Sequence, residues 1–138
     1  MVNFVIVTHG EFGAYLVEAA ESIVGRQADG VAVVSISARL SVDEVRRRVE
    51  TAVQGLDSGE GLIVVTDIPG GTPSNVALPA VKDMPNVAVI SGLNLYMLIT
   101  AFTHRKTLGL EELTLKILAD GQRSIKDIKA ALLSKVRA

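Results

Sequence analysis

Leu62-Ile63-Val64-Val65-Thr66-Asp67-Ile68-Pro69-Gly70-Gly71-Thr72-Pro73-Ser74-Asn75 passes from an apolar, mostly β-branched run, through a polar turn, into a helix start. The run is apolar at consecutive rather than alternate positions, as a parallel strand covered by helices on both faces must be. Thr72-Pro73 suits a first helical turn, because proline has no N–H to lose there and its φ is already helical. Pro79 must then kink or shorten that helix.

Working outward, the same short runs recur at Phe4 to Val7, Val31 to Ile36 and Val87 to Ile90. Between the first two, Phe12, Tyr15, Leu16, Ala19, Ala20, Ile23 and Val24 form an apolar stripe at helical spacing that ends at Gly25. Ser41 and Glu44 predict a capping box for a helix that buries Val42, Val45, Val49 and Val53, with Arg46 to Arg48 facing outward as a solvated run. A further helix is predicted from about Asn94 to Phe102. Leu110 to Leu118 and Ile125 to Leu133 also read as helical, with Gly121 as a break between them, while Ser124 to Ile128 fits helix or extended chain. Strand and helix alternating in this order predict right-handed crossovers and an α/β fold: three layers, a doubly wound, mainly parallel sheet with helices on both faces. Residues 1–138 read as one domain.

Composition narrows the function. With 14 Lys+Arg against 15 Asp+Glu the net charge is -1, so no overall positive field is available to hold nucleic acid. The absence of cysteine excludes disulfides, thiolate zinc sites and Cys nucleophiles. No apolar run is long enough to span a bilayer, and Met1-Val2-Asn3-Phe4 does not resemble a secretory signal, so the chain reads as mature and cytoplasmic. Nucleotide-binding fingerprints, a nucleophile elbow and helical metal-binding His pairs are lacking as well.

In a doubly wound sheet, chemistry collects at the carboxyl ends of the strands. There the sequence places Thr8-His9-Gly10, the Asp67 to Asn75 turn, and Ser91-Gly92-Leu93-Asn94. Neutral imidazole is a nitrogen nucleophile, and a carboxylate on its other ring nitrogen fixes tautomer and orientation; His9 and Asp67 could form such a pair. Gly70 and Gly71 let backbone approach a phosphate, and Thr72 and Ser74 at a helix N-terminus can stabilise its oxygens. Singly, each has a plainer reading: a structural or merely exposed histidine, a turn aspartate, a glycine turn. On the residues alone the functional and structural readings stand level. His104, beside Arg105 and Lys106, reads as a surface or helix-end residue.

Taken together, these motifs resemble the mannose-type enzyme IIA components of the bacterial phosphoenolpyruvate-dependent sugar phosphotransferase system. The likeness covers nearly the whole chain and rests on the order of Thr8-His9-Gly10, of Asp67-x-x-Gly70-Gly71-Thr72-Pro73-x-Asn75, and of Gly92-Leu93-Asn94 before Met97-Leu98. The resemblance implies a phosphocarrier, with His9 accepting phosphate from phospho-HPr and passing it to an enzyme IIB that feeds a membrane permease. It further implies that Asp67 orients the ring, that Thr72 and nearby amides bind the phosphoryl oxygens, and that neither magnesium nor another cofactor is needed. It implies a homodimer that exchanges an antiparallel C-terminal strand, here around residues 123–128. Ile68-Pro69 and Tyr96 depart from the family pattern. The same site chemistry would serve a regulatory phosphoprotein without sugar transport, the phosphotransferase subunit of a dihydroxyacetone kinase, or a small-molecule binding domain.

Overall fold

The computed structural model describes residues 1–137, with side chains described as far as residue 134. The chain runs β1 (Asn3–His9), α1 (Phe12–Val24), β2 (Val31–Ile36), α2 (Val42–Leu56), β3 (Leu62–Thr66), α3 (Thr72–Val81), β4 (Val87–Ile90), α4 (Leu95–His104), α5 (Leu110–Arg123) and α6 (Ile128–Arg137). The four strands pair in parallel in the order β2-β1-β3-β4. β1 and β3, buried at nearly every position, take the centre, where both faces are covered. The edge strands β2 and β4 are only half buried.

Alternate side chains of the central strands feed two cores. Phe4, Ile6, Ile63 and Val65 pack with Met97, Leu98, Ala101 and Phe102 of α4, Leu113 and Ile117 of α5, and Ala20 of α1. Val5, Val7, Leu62 and Val64 pack on the opposite face with Val45, Val49 and Val53 of α2 and Val76, Ala77 and Val81 of α3. Three layers result, as the alternation of strand and helix predicts. Because the chain moves outward from β1 to β2 and then returns to place β3 on the other side, the strand order reverses between β1 and β3. That reversal opens a crevice at their carboxyl ends.

Several local expectations are adjusted. The Ser41 hydroxyl accepts the Glu44 N–H at 3.1 Å, but the Glu44 carboxylate turns to Arg47 and Arg48 instead of closing the box. Arg46 pairs with Asp43, so the basic run is solvated and satisfied. On α1 the packed face is Gly13, Leu16, Val17, Ala20 and Val24, whereas Phe12, Tyr15 and Ile23 lie exposed. Gly13 decides this: its backbone lies so close to β1 that an added Cβ would meet the Thr8 side chain at 2.9 Å. Gly121 does not break a helix. It sits buried inside α5, where α5 crosses α4 so closely that any Cβ would strike Met97. Residues 125–127 are in neither helix nor strand, and α6 starts at Ile128. α3 runs through Pro79 but ends two residues later. No helix among the described residues is long and apolar enough to cross a membrane.

Candidate functional site

The register of the central strands assembles the site. Val7 lies opposite Thr66, so the two residues after Val7 on β1 reach the level of Asp67 as it leaves β3. His9 and Asp67, 58 positions apart in the chain, meet there: the His9 backbone N–H donates to Asp67 Oδ2 at 2.9 Å, and His9 Nδ1 lies 2.7 Å from the same oxygen. The Ile68 N–H donates to Asp67 Oδ1 at 2.9 Å. Both carboxylate oxygens are thus fixed.

The environments of the two side chains differ. Asp67 is 9% exposed and the His9 side chain 51%. Burial pushes the Asp67 carboxyl up, but the hydrogen bonds from the His9 backbone, the His9 ring and the Ile68 backbone outweigh it, and its pKa ends below the usual carboxylate value. An ionised carboxylate can only accept, so Nδ1 must carry the proton. Neutral His9 is therefore held as the Nδ1–H tautomer, with the lone pair on Nε2. No group among the described residues hydrogen-bonds Nε2. Chemically, the pair presents an oriented nitrogen nucleophile at the surface, with a carboxylate behind it to balance positive charge that develops on the ring.

The glycine turn closes over one side of this ring. Gly70 takes φ +81°, a conformation that favours glycine, and an added Cβ on Gly71 would sit 3.2 Å from His9 Cε1. Gly71 then caps α3 without a side-chain bond, which leaves the helix N-terminus open beside the imidazole. Thr72 is exposed there. A cleft of about 290 Å³ adjoins the loop, lined by Val42, Arg46, Thr72, Asn75, Val76 and Pro79. Ser74 is the exception among the expected phosphate-binding residues: it is buried, and its hydroxyl donates to the Ile68 carbonyl at 2.9 Å instead of facing the surface.

Two structural contributors escape a reading by residue type. Thr8 is fully buried at the end of β1, and its Oγ1 accepts the Gly13 N–H at 2.8 Å, tying the His9 loop to α1. Arg105 is 1% exposed, although it follows the last turn of α4 between His104 and Lys106. His104 does close α4, in keeping with a helix-end role. Nothing in the charge pattern separates Arg105 from its neighbours. Among the described residues, no three His, Cys, Asp or Glu side chains converge as a metal site would require.

These features define a class: a doubly wound α/β protein with a surface imidazole and carboxylate pair at its topological switch point, beside an open helix N-terminus. Comparison with known proteins narrows it. The EIIA-man family model, described as PTS system fructose IIA component, matches residues 3–118, and the chain belongs to that family. The PTS system mannose-specific EIIAB component of Escherichia coli is 27% identical over 135 residues, which cover 97% of this chain and 42% of that protein. The chain thus spans about two fifths of the length of the first curated relatives it matches. The PTS system fructose-specific EIIA component of Bacillus subtilis is 25% identical over 126 residues, covering 91% and 86% of the two chains. The crystal structure of phosphotransferase system component EIIA from Streptococcus agalactiae superposes with a TM-score of 0.84 at 30% identity, covering 94% of this chain and 99% of that one. The chain is accordingly a phosphotransferase-system component of the IIA kind.

Proposed function

We propose that His9 takes a phosphoryl group from phospho-HPr on Nε2 and passes it to an enzyme IIB component during sugar uptake. The observation that supports this reading most is the contact between Asp67 and Nδ1, which leaves Nε2 without a hydrogen-bond partner among the described residues, on a half-exposed ring. In the transfer, the N–P bond of the donor's phosphohistidine breaks as a bond from Nε2 to phosphorus forms. The His9 ring, still protonated at Nδ1, becomes cationic, and Asp67 balances that charge. Transfer onward reverses these changes on a new acceptor.

The phosphoryl oxygens fall to the Gly70-Gly71 backbone and to Thr72 at the open start of α3. Ser74 joins this set through its backbone N–H alone. Positioning and charge stabilisation suffice for such a transfer, so the reading calls for no cofactor. Exposed Phe12 and Ile68, in the two segments that flank the pair, suit a protein donor rather than a free metabolite. The relay is placed in the cytoplasm, with residues 1–138 acting as one IIA unit and a membrane permease reached only indirectly through IIB. Incubation with phosphoenolpyruvate, enzyme I and HPr tests the reading: acid-labile phosphate is expected on the wild type and absent from His9→Ala. Labelling of His9→Ala at the wild-type level would sink it.

The proposal includes a homodimer that exchanges an extended segment around residues 123–128. Its support is the irregular stretch 125–127, the exposure of Ile125 and Ile128, and the position of β4 at the sheet edge, where a further strand can pair. Light scattering should give twice the monomer mass for the wild type and the monomer mass for the Ile125→Asp, Ile128→Asp variant. A monomeric wild type overturns the dimer.

A further inference from the structure

The glycine pair that lets the loop approach His9 also creates a mechanical problem. Gly70 and Gly71 have more backbone freedom than any other residue pair, and they separate Ile68 from the rigid start of α3. Yet Ile68 must be held, because its N–H is what orients Asp67 Oδ1. The tie across the gap is Ser74. This third residue of α3 does not cap its own helix; its Oγ reaches back six positions to donate to the Ile68 carbonyl at 2.9 Å. Behind it, Thr66 Oγ1 lies 2.9 Å from Ser74 Oγ and 3.0 Å from Ser91 Oγ. Thr66 is fully buried and Ser74 nearly so, which anchors the hydroxyl group in β3 rather than in solvent.

Ile68 is thereby gripped on both sides: its N–H on the carboxylate of Asp67 and its C=O on the hydroxyl of Ser74. We propose that Ser74 is a positioning residue for phosphoryl transfer, acting through Ile68 and Asp67 to keep Oδ2 on His9 Nδ1 and the lone pair on Nε2. The proposal deepens the phosphocarrier reading and rests on it for the rate, while its effect on the imidazole is independent of any donor. A carboxylate held at one oxygen only can rotate away from Nδ1, and the Nε2–H tautomer, which has no lone pair on Nε2 to offer the phosphorus, then gains population.

The experiment combines ring spectroscopy with a double-mutant cycle. In the wild type, ¹⁵N shifts of the His9 ring should report the Nδ1–H tautomer. In Ser74→Ala they should move toward a mixture, and the rate of phosphoryl transfer from phospho-HPr should fall about tenfold. In an Asp67→Ala background the same Ser74→Ala change should cost less than about twofold, because the group through which Ser74 acts is gone. Ser91→Ala, which removes the other partner of Thr66 but leaves the Ile68 carbonyl bound, should transfer at the wild-type rate. Full additivity in the cycle, unmoved ring shifts in Ser74→Ala, or an equal loss in Ser91→Ala would each overturn the proposal. Should Ser74→Ala not fold, Ser74→Cys, whose thiol is a weak donor, is judged by the same ring shifts. If the wild type accepts no phosphoryl group, the functional reading fails and the ring shifts alone decide the positioning role.

Discussion

The two ends of the sheet hold nitrogen-rich side chains in opposite ways. At the amino end, Arg105 lies buried with its guanidinium over the Phe4 ring at 5.4 Å, and five acceptors surround it: the carbonyls of Val2, Asp29 and Gly30 and the side chains of Gln27 and Asn3. A guanidinium has five N–H groups, so its capacity is exhausted. At the carboxyl end, His9 has two ring nitrogens, of which one is bound and the other open. A fully satisfied polar group stabilises and specifies structure, whereas a group fixed on one side and free on the other has reactivity to offer. The shape of the backbone matches this division. Gly30 is required beside Arg105 because a Cβ would collide with Asn3 and the guanidinium, while Gly71 lets its loop approach the edge of the imidazole.

That contrast can be broken by exchanging losses between the two ends. His9→Ala should abolish phosphoryl transfer and lower thermal stability only slightly, since the ring is half exposed and Asp67 keeps its bonds from the His9 and Ile68 backbone; a denaturation curve beside the transfer assay checks both. Arg105→Ala should do the reverse. It strands several buried acceptors and opens a cavity, so a loss of about 3 kcal/mol in urea denaturation is expected, with the transfer rate per folded molecule retained. A large rate loss in folded Arg105→Ala would show that the two ends are coupled. Asp67→Ala should fold and slow transfer by about 100-fold, by the logic that a wrongly oriented imidazole is a poor nucleophile.

The smallest effect is in pH. The folded-state pKa of Asp67 lies below the usual carboxylate value, so the stability it contributes is complete above the unfolded value of about 3.9 and is lost as pH falls through the lower folded value. The stability gap between wild type and Asp67→Ala should therefore narrow on acidification below about pH 4. The gap for Arg105→Ala should stay flat across the same range. Burial lowers the Arg105 pKa and the Asp29 charge opposes that, yet a guanidinium remains protonated far above these pH values. Urea titrations at a series of acidic pH values measure both gaps.

Much of the site was legible because it lies where a repeating pattern ends. Consecutive apolar residues mark the runs as parallel strands, and polar residues immediately after them must then fall on one edge, which brings His9, Asp67 and the Gly70-Gly71 turn together; which strands are central was not legible, since the edge run Val87 to Ile90 is apolar throughout. Element types likewise followed from periodicity and turn chemistry. The face of α1, however, was misread, because Phe12 and Tyr15 fit a helical stripe as well as Gly13 and Val17 do, and only the close approach to Thr8 chooses between them. Gly121 was misread for a related reason. A glycine in an apolar pattern signals a break or a close helix crossing equally, and its contact with Met97 depends on how α4 and α5 meet.

By itself, then, the sequence determined the layered α/β architecture, the edge that carries the chemistry and the residues that share it, since these depend on local periodicity and on the order of segments. Only the tertiary structure decided which of those polar groups are bonded and which are free. It turned the Ser74 hydroxyl inward, enclosed Arg105, and set the Nδ1 of His9 on Asp67, leaving Nε2 open. The physical reason is that a hydrogen bond depends on distance and direction between groups far apart in the chain. Strand register and helix packing supply these, and residue spacing does not encode them.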